Sequence, residues 1–232
     1  MKVRPAAAIA TVAIAVVAIV LVLATLTKSG SDDDTSESAA GESSYAEPSG
    51  SGAGIPRRED DDPLAMGDVD APVTLIEYAD FRCPFCGVFA RDTMPELEKY
   101  IDDGALRVEW RDFPIFGEQS FAAARAARAA AEQDHFWEFY EVLFADSPER
   151  GHPDLTQDKL IGYAEEAGVP DIEKFRKDMT DKTYDKQIKA DRKEATTLGM
   201  TGTPGFVIGD QIIVGAQPTS VFTDQIEKLT DQ

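Results

Sequence analysis

The stretch that decides the fold of this chain is residues 73–86, which read VTLIEYADFRCPFC. Its first nine residues are rich in β-branched and aromatic side chains and predict a β-strand. The strand is apolar on both faces except at Glu77 and Asp80, a pattern typical of a sheet that is covered on both sides. Two cysteines follow at once, so the sequence places a pair of thiols where a buried strand ends and a helix begins.

The predicted elements around this stretch indicate an α/β fold. Strands and helices alternate at first, a long helical insert follows, and a β-hairpin and one more helix close the chain. In chain order they are a helix at 83–100 that Pro95 should kink, a strand at 106–110, helices throughout 120–198, a hairpin around Gly209-Asp210 and a helix at 219–229.

The composition divides the 232 residues into three parts. Residues 1–28 contain an uncharged apolar run preceded by Lys2 and Arg4, and as a helix this run would span about 30 Å, the thickness of a bilayer core. We therefore expect a membrane anchor with its N-terminus in the cytoplasm and the rest of the chain outside. The alternative is a signal peptide that is cleaved and leaves a secreted protein.

The other two parts are a linker and a domain. Residues 29–62 are rich in Ser, Gly and acidic side chains and predict a disordered tether, because such a segment buries too little apolar surface to offset its chain entropy. Residues 63–232 are enough for one domain with a sizeable core. The formal net charge of −20 repels phosphate backbones and argues against nucleic acid as a partner.

The chemistry is predicted to lie in Cys83 and Cys86, the two cysteines of the chain. Cys83 falls at a helix N-terminus, where free N–H groups and the helix dipole favour a thiolate. Cys86, one turn further on, is placed to attack a mixed disulfide formed on Cys83. Pro84 suits the first helical turn, since its φ is already helical and its missing N–H would have no partner there. This pattern predicts a redox-active pair.

Two other interpretations of the cysteine pair are weaker. Half of a zinc site would need two more ligands, and the remaining soft donors, His135 and His152, do not have a ligand spacing. A purely structural disulfide would close a loop so short that crosslinking contributes little. We therefore expect no metal and no cofactor besides the disulfide itself.

Two further sites carry functional hypotheses. Glu77 falls among apolar neighbours on its strand, so we expect a buried acid with a raised pKa that exchanges a proton with Cys86; the alternative is a Glu77 that lies in water at a sheet edge. Asp80 lies on the other face of the predicted strand, and we expect it to be solvated or to cap a turn. The proline in the run Thr203-Pro204 precedes a strand closely enough to suit a cis peptide, although trans is the base expectation.

Together these motifs resemble the DsbA-like branch of the thioredoxin superfamily, over roughly residues 68–229. The resemblance rests on the strand 75–81, the Cys83-Pro84-Phe85-Cys86 run, the helical insert and the late Thr203-Pro204 pair. It implies a thioredoxin fold with an inserted helical subdomain and a cis-Pro204 that faces the cysteines. It further implies that Glu77 is the buried acid of the family and that Thr203 offers backbone hydrogen bonds to an extended substrate.

The resemblance also implies the reaction and its partners. The leading hypothesis is an oxidoreductase that introduces disulfides into exported proteins and is recycled by a redox partner in the membrane. Phe85, in place of the histidine of strongly oxidising members, gives the thiolate no charge and predicts a weaker oxidant; it also lies where substrate would bind. Thr203 before the proline is more typical of reductases and isomerases, so a reductase or isomerase remains an alternative. A third hypothesis is a peptide-binding, chaperone-like module in which the thiols are incidental.

Overall fold

The computed structural model describes residues 55–231, and at the centre of this region lies a five-stranded mixed sheet. The strand order is β1-β3-β2-β4-β5, in which β2 and β3 are parallel and all other neighbours are antiparallel. The strands are β1 (Ala65–Met66), β2 (Val73–Ala79), β3 (Leu106–Asp112), β4 (Gly205–Ile208) and β5 (Gln211–Val214). The predicted α/β class is confirmed, and the two-residue β1 was not predicted.

Strand β2 is buried along its whole length, as its apolar sequence predicted. Its neighbours β3 and β4 place Trp110 and Phe206 beside Glu77, and side chains that are paired in this way lie on the same side of the sheet. We call this side the front face. The opposite side, which carries Ile76, Tyr78 and the residues paired with them, is the back face.

The helix that starts after Cys83 is continuous but irregular. It consists of α1 (Pro84–Val88), a π-helical turn at Phe89–Thr93 and α2 (Met94–Asp102). Pro95 lies in the first turn of α2. Because proline has no N–H and its ring crowds the carbonyl four residues earlier, the preceding turn widens. The structure thus shows a π-helical turn just before Pro95, and the kink predicted at Pro95 stays a prediction.

The predicted helical insert is also confirmed. Thr156 and Asp171 cap two of its helices by accepting hydrogen bonds from the backbone N–H groups of Lys159 and Lys174. The helices from the insert onward are α3 (Glu118–Ala131), α4 (Phe136–Ala145), α5 (Gln157–Glu166), α6 (Ile172–Thr180), α7 (Asp185–Thr197) and the closing α8 (Thr219–Thr230).

Aromatic packing joins the insert to the front face of the sheet. Trp110 of β3 contacts Tyr140 of α4 edge to face at 5.7 Å between ring centroids, and Phe81 stacks on Phe144 at 5.2 Å. The hairpin turn requires a glycine, since Gly209 has φ +61° and a Cβ there would lie 2.9 Å from Leu229. The aromatic contacts hold the insert against the ends of β2 and β3 that lie near the cysteines, and the hairpin turn lies at the opposite end of the sheet.

The segment before the domain differs from its prediction where the structure describes it. Residues 55–62, assigned to the tether by composition, lie against the back face. The backbone N–H groups of Arg57 and Arg58 donate to the two carboxylate oxygens of Glu109 at 3.0 and 2.9 Å, and the Arg57 guanidinium lies 2.6 Å from Asp191. Polar composition did not reveal this docking, because its partners are distant in sequence.

The predicted anchor and residues 29–54 of the predicted tether lie outside the described residues. Within residues 55–231, none of the helices combines the length and the apolar character that crossing a bilayer requires.

Candidate active site

The two cysteines lie together at the start of α1, as the sequence predicted. Cys83 is the N-cap residue, and its backbone N–H donates to Asp80 O at 2.9 Å. Both side chains are free thiols with at most 2% of their surface exposed. Gly87 lets this helix approach the insert closely, since a Cβ there would lie 2.7 Å from Ser147 Oγ. Strand β2, the turn at Asp80–Cys83 and the helical insert therefore hold the two cysteines in place.

The surroundings of the two sulfurs make their proton affinities different. The pKa of Cys83 is lowered to about 6, chiefly because Cys86 donates a hydrogen bond to its sulfur, although burial opposes this. The Thr203 side chain and backbone N–H groups of α1 lower it further. Burial, followed by the hydrogen bond to Cys83, raises the pKa of Cys86 well above its ordinary value. At neutral pH Cys83 is thus the thiolate and Cys86 the thiol.

The loop before β4 faces the cysteines. The Thr203–Pro204 peptide is cis, as the family resemblance implied, and Pro204 is buried. In its protonated form Cys83 Sγ donates to Thr203 O at 3.2 Å. Pro204 O accepts from the Gly215 N–H at 2.8 Å, which ties the loop to the end of β5.

Glu77 is buried on the front face, so the alternative of a solvated edge position was wrong. It has no exposed surface, and its Oε2 accepts a hydrogen bond of 3.3 Å from Tyr140 Oη. Its Oε1 has no hydrogen-bond partner among the described residues. Burial raises the pKa of Glu77 to about 8, the Tyr140 hydroxyl opposes this, and the charge of Cys83 adds to it. The carboxyl group is therefore mostly protonated at neutral pH.

Asp80 is a turn cap, as one alternative predicted, but it is not solvated. Only 2% of it is exposed, and its carboxylate accepts N–H groups from Arg82, Ile115 and Phe116 at 2.8, 2.7 and 3.2 Å. Its face of the strand turns toward the loop after β3, which covers it. Asp80 thus joins the turn before Cys83 to the end of the neighbouring strand.

Pro84 takes the position that the sequence predicted, and its neighbour Phe85 lies at the surface. Pro84 lies in the first turn of α1, and Phe85, with 60% of its surface exposed, is the most exposed large apolar side chain in the described region. An apolar ring next to the reactive sulfur is therefore open to solvent.

The histidines do not join the cysteines. His152 Nδ1 lies 2.9 Å from Arg82 O, and its ring stacks on Phe116 at 4.0 Å. His135 is 3.9 Å from Glu138. Within residues 55–231 no group of three or more His, Cys, Asp or Glu side chains is arranged to hold a metal ion.

Sequence reasoning missed Tyr140, the residue that bonds the buried acid. Its helix carries aromatic residues at core spacing, and a tyrosine in such a run is most simply interpreted as packing. No local signal distinguishes it from its neighbours, since its partner lies 63 residues earlier in the chain.

A mixed sheet with a thiolate at a helix N-terminus, a second buried thiol one turn on and a cis-proline opposite defines a thiol–disulfide oxidoreductase. The comparisons agree. The family model described as Thioredoxin matches residues 59–228. The chain therefore belongs to the thioredoxin family, and it is a DsbA-like member, whose redox group is a disulfide.

Three similar proteins support this assignment. "Probable disulfide bond formation protein D" of Bacillus cereus is 31% identical over 153 residues, which are 64% of this chain and 70% of that protein. Oxidised BdbD from Bacillus subtilis superposes with a TM-score of 0.68 at 27% identity, over 73% of this chain and 93% of that one. Alpha-DsbA1 from Wolbachia pipientis superposes with a TM-score of 0.64 at 27% identity, over 72% of this chain and 90% of that one.

Proposed function

We propose that this protein is a membrane-anchored, extracytoplasmic catalyst that introduces disulfides into exported proteins. The observation that carries the proposal is the position of Cys83 at a helix N-terminus, beside Cys86 and the cis Thr203–Pro204 loop, which lowers the pKa of its thiol to about 6. A stabilised thiolate stabilises the reduced form of the enzyme, and so the disulfide form is the stronger oxidant. The names of the relatives in Bacillus support the same direction.

The first step forms a mixed disulfide. A substrate thiolate attacks Cys83 Sγ in the oxidised enzyme, the Cys83–Cys86 bond breaks, and the electron pair leaves on Cys86. Because burial makes a Cys86 thiolate costly, it takes a proton, and the protonated carboxyl of Glu77 on the same face is placed to supply it.

The second step releases the product. Another substrate thiolate attacks the substrate sulfur of the mixed disulfide, a substrate disulfide forms, and Cys83 leaves as its stabilised thiolate. Once Glu77 has taken up a proton from solvent again, the enzyme has gained two electrons and one proton. A redox partner in the membrane would remove these electrons and restore the Cys83–Cys86 disulfide.

Substrate would lie along the cis-proline loop and the exposed ring of Phe85. Thr203, which already places its carbonyl beside Cys83, would offer backbone hydrogen bonds to an extended chain. The apolar ring of Phe85 would contact side chains next to the substrate cysteine.

The test is to trap substrates in the cells that make the protein. Cys86→Ser should accumulate mixed disulfides between Cys83 and exported proteins, whereas Cys83→Ser, the matched control, should trap none and should be inactive in dithiol oxidation. A Cys83→Ser variant that keeps full activity would instead support the peptide-binding module.

A reductase or isomerase of the same fold is the second candidate, favoured by Thr203 before the cis-proline and by the absence of a histidine between the cysteines. The redox state of the pair in cells separates the two. Alkylation should find Cys83 and Cys86 mainly oxidised in a disulfide-forming enzyme, and mainly reduced in a reductase or isomerase.

The anchor is a proposal as well, supported by the apolar run in residues 1–28 and by the basic residues before it. The measurement is the intact mass of protein extracted from membranes. Retention of the first 26 residues supports a single-pass anchor, and an N-terminus near residue 25 would mean a cleaved signal peptide.

A further inference from the structure

The buried acid of this site depends on a side chain from the helical insert. Tyr140 of α4 donates its hydroxyl to Glu77 Oε2 at 3.3 Å, and it is the one side chain in the described region that hydrogen-bonds Glu77. Trp110, which is paired with Glu77 across the parallel strands, donates its indole N–H to Asp112 Oδ1 at 3.0 Å instead. The phenol therefore has no competitor for the carboxyl group among these residues.

The arrangement is asymmetric between the two carboxyl oxygens. Oε2 is held by Tyr140, and Oε1 is buried without a partner among the residues that the structure describes. A buried polar atom without a hydrogen bond costs free energy, so such an atom at a reaction centre calls for a functional explanation. A protonated carboxyl group carries its hydrogen on one oxygen, and an oxygen that accepts from a phenol is the less suited of the two to carry it.

We propose that Tyr140 is a positioning residue for the redox reaction: it holds Oε2 of Glu77 and thereby leaves Oε1 as the oxygen that exchanges a proton with Cys86. This inference rests on the proton exchange proposed above for Glu77. It also gives the helical insert a direct part in the chemistry, because α4 supplies the hydroxyl.

The ring of Tyr140 has packing partners that do not involve its hydroxyl. It contacts Trp110 at 5.7 Å, Trp137 at 5.3 Å and Phe144 at 4.8 Å between centroids, and 1% of the residue is exposed. Tyr140→Phe keeps these ring contacts and removes only the hydroxyl. The variant therefore separates the hydrogen bond from the core.

Three titratable groups of the described region act on Glu77 and Tyr140. Cys83 acts on the carboxyl group, and Cys86 and Glu141 act on the phenol. A donor to a carboxylate favours the charged form, so the hydroxyl works against the burial that raises the pKa of Glu77. Loss of the hydroxyl should raise this pKa further, by about one unit.

The experiment measures the step in which Cys86 displaces glutathione from a mixed disulfide on Cys83, followed against pH. In Tyr140→Phe the inflection that belongs to Glu77 should move up by about one pH unit, and the rate at pH 7 should fall about tenfold, since fewer molecules carry the carboxylate that accepts the Cys86 proton. The carboxyl stretch of Glu77 in difference infrared spectra should shift as well.

Two controls make the result specific. Tyr78→Phe removes a phenol that donates to Glu194 on the back face, and it should leave the pH profile unchanged. In a Glu77→Gln background, Tyr140→Phe should add no further change, because the two residues act as a unit.

Three outcomes decide the inference. A shifted profile in Tyr140→Phe that disappears in the Glu77→Gln background supports it. If Tyr140→Phe lowers stability but leaves the profile and the carboxyl stretch unchanged, the hydroxyl is only structural and the inference is overturned. If the pH profile of Glu77→Gln is the same as that of wild type, Glu77 does not exchange a proton with Cys86, and the proposed role of Tyr140 is overturned as well.

Discussion

The two glutamates at the centre of the sheet differ in almost everything except burial. Glu77 of β2 faces the front and Glu109 of β3 faces the back, and neither has any exposed surface. Burial raises the pKa of Glu77 to about 8. Burial acts in the same direction on Glu109, yet N–H donors from Arg57 and Arg58 and the charge of Arg111 hold the pKa of Glu109 below its ordinary value.

The pKa values of the two glutamates differ because their carboxyl groups have different numbers of hydrogen-bond donors and basic neighbours. Glu109 accepts two backbone N–H groups and also lies 3.2 Å from Arg107 Nε and 2.6 Å from an Arg111 side-chain nitrogen. Within residues 55–231, Glu77 has one hydrogen bond, from a neutral phenol. A buried carboxyl group with many donors is a fixed charge that stabilises the fold, and one with few donors keeps a proton that it can give away. The back face is therefore structural, and the front face is suited to chemistry.

The largest effect is expected where the partnered acid is removed. Glu109→Gln should lower the free energy of unfolding by about 3–5 kcal/mol, because Arg111 and Arg107 stay buried without their carboxylate. Urea denaturation measures this, and the half-exposed Glu138→Gln is the control that should change little. Dithiol oxidation per folded molecule should be unchanged. A Glu109→Gln protein as stable as wild type would contradict the structural role of the back face.

On the front face, removal of the buried acid should raise the free energy of unfolding instead of lowering it. The pKa of Glu77 is raised above its unfolded value of 4.5 to about 8, so the penalty for ionising it is absent below about pH 4.5 and grows until about pH 8. Glu77→Gln should therefore be the more stable protein at pH 7, by up to about 3 kcal/mol, while turning over more slowly. Unfolding of reduced protein at pH 4 to 8 checks this. Parallel stability curves for the two proteins would mean that Glu77 does not titrate as proposed.

A smaller effect is expected at the segment that docks on the back face. Arg57→Ala keeps the backbone N–H bond to Glu109 but loses the guanidinium contact with Asp191, which retains Arg128 at 2.7 Å. Since the arginine is partly exposed, the loss should be about 1 kcal/mol. Thermal unfolding of Arg57→Ala against the surface variant Arg176→Ala measures it. Equal melting temperatures for these two variants would show that the Arg57 side chain does not fasten the segment.

The last effect is on redox properties rather than on stability, and it should come from a basic side chain placed next to Cys83. Phe85→His places a group that can be charged next to Cys83, which should lower the pKa of this thiol from about 6 by up to about one unit and raise the reduction potential by up to about 30 mV. For wild type we expect a potential between roughly −270 and −120 mV. Thiolate absorbance against pH and equilibration with glutathione measure both quantities. A wild-type pKa near 8.5, or a variant that shifts neither quantity, would rule out this account of the motif.

Local patterns in the sequence were enough for the cysteine pair, the strand before it and the helical insert. Each depends on short-range rules: the period of apolar residues along a strand, the free N–H groups at a helix start and the φ of Pro84 in the first turn. The burial of Glu77 also followed, since its strand neighbours on both sides are apolar. The burial of Asp80 was not predicted, because the loop that covers it comes from the end of another strand.

Only the tertiary structure decided which buried acids have partners. Tyr140 reaches Glu77 across 63 positions of the chain, and Arg57 reaches Asp191 across 134. Each hydrogen bond depends on where a helix or segment packs on the sheet, and neither tyrosine nor arginine carries a local mark of its distant partner. The sequence therefore determined the reactive atoms of this oxidoreductase, and the packing around them determined their proton affinities, because a pKa depends on the donors and charges within a few ångströms.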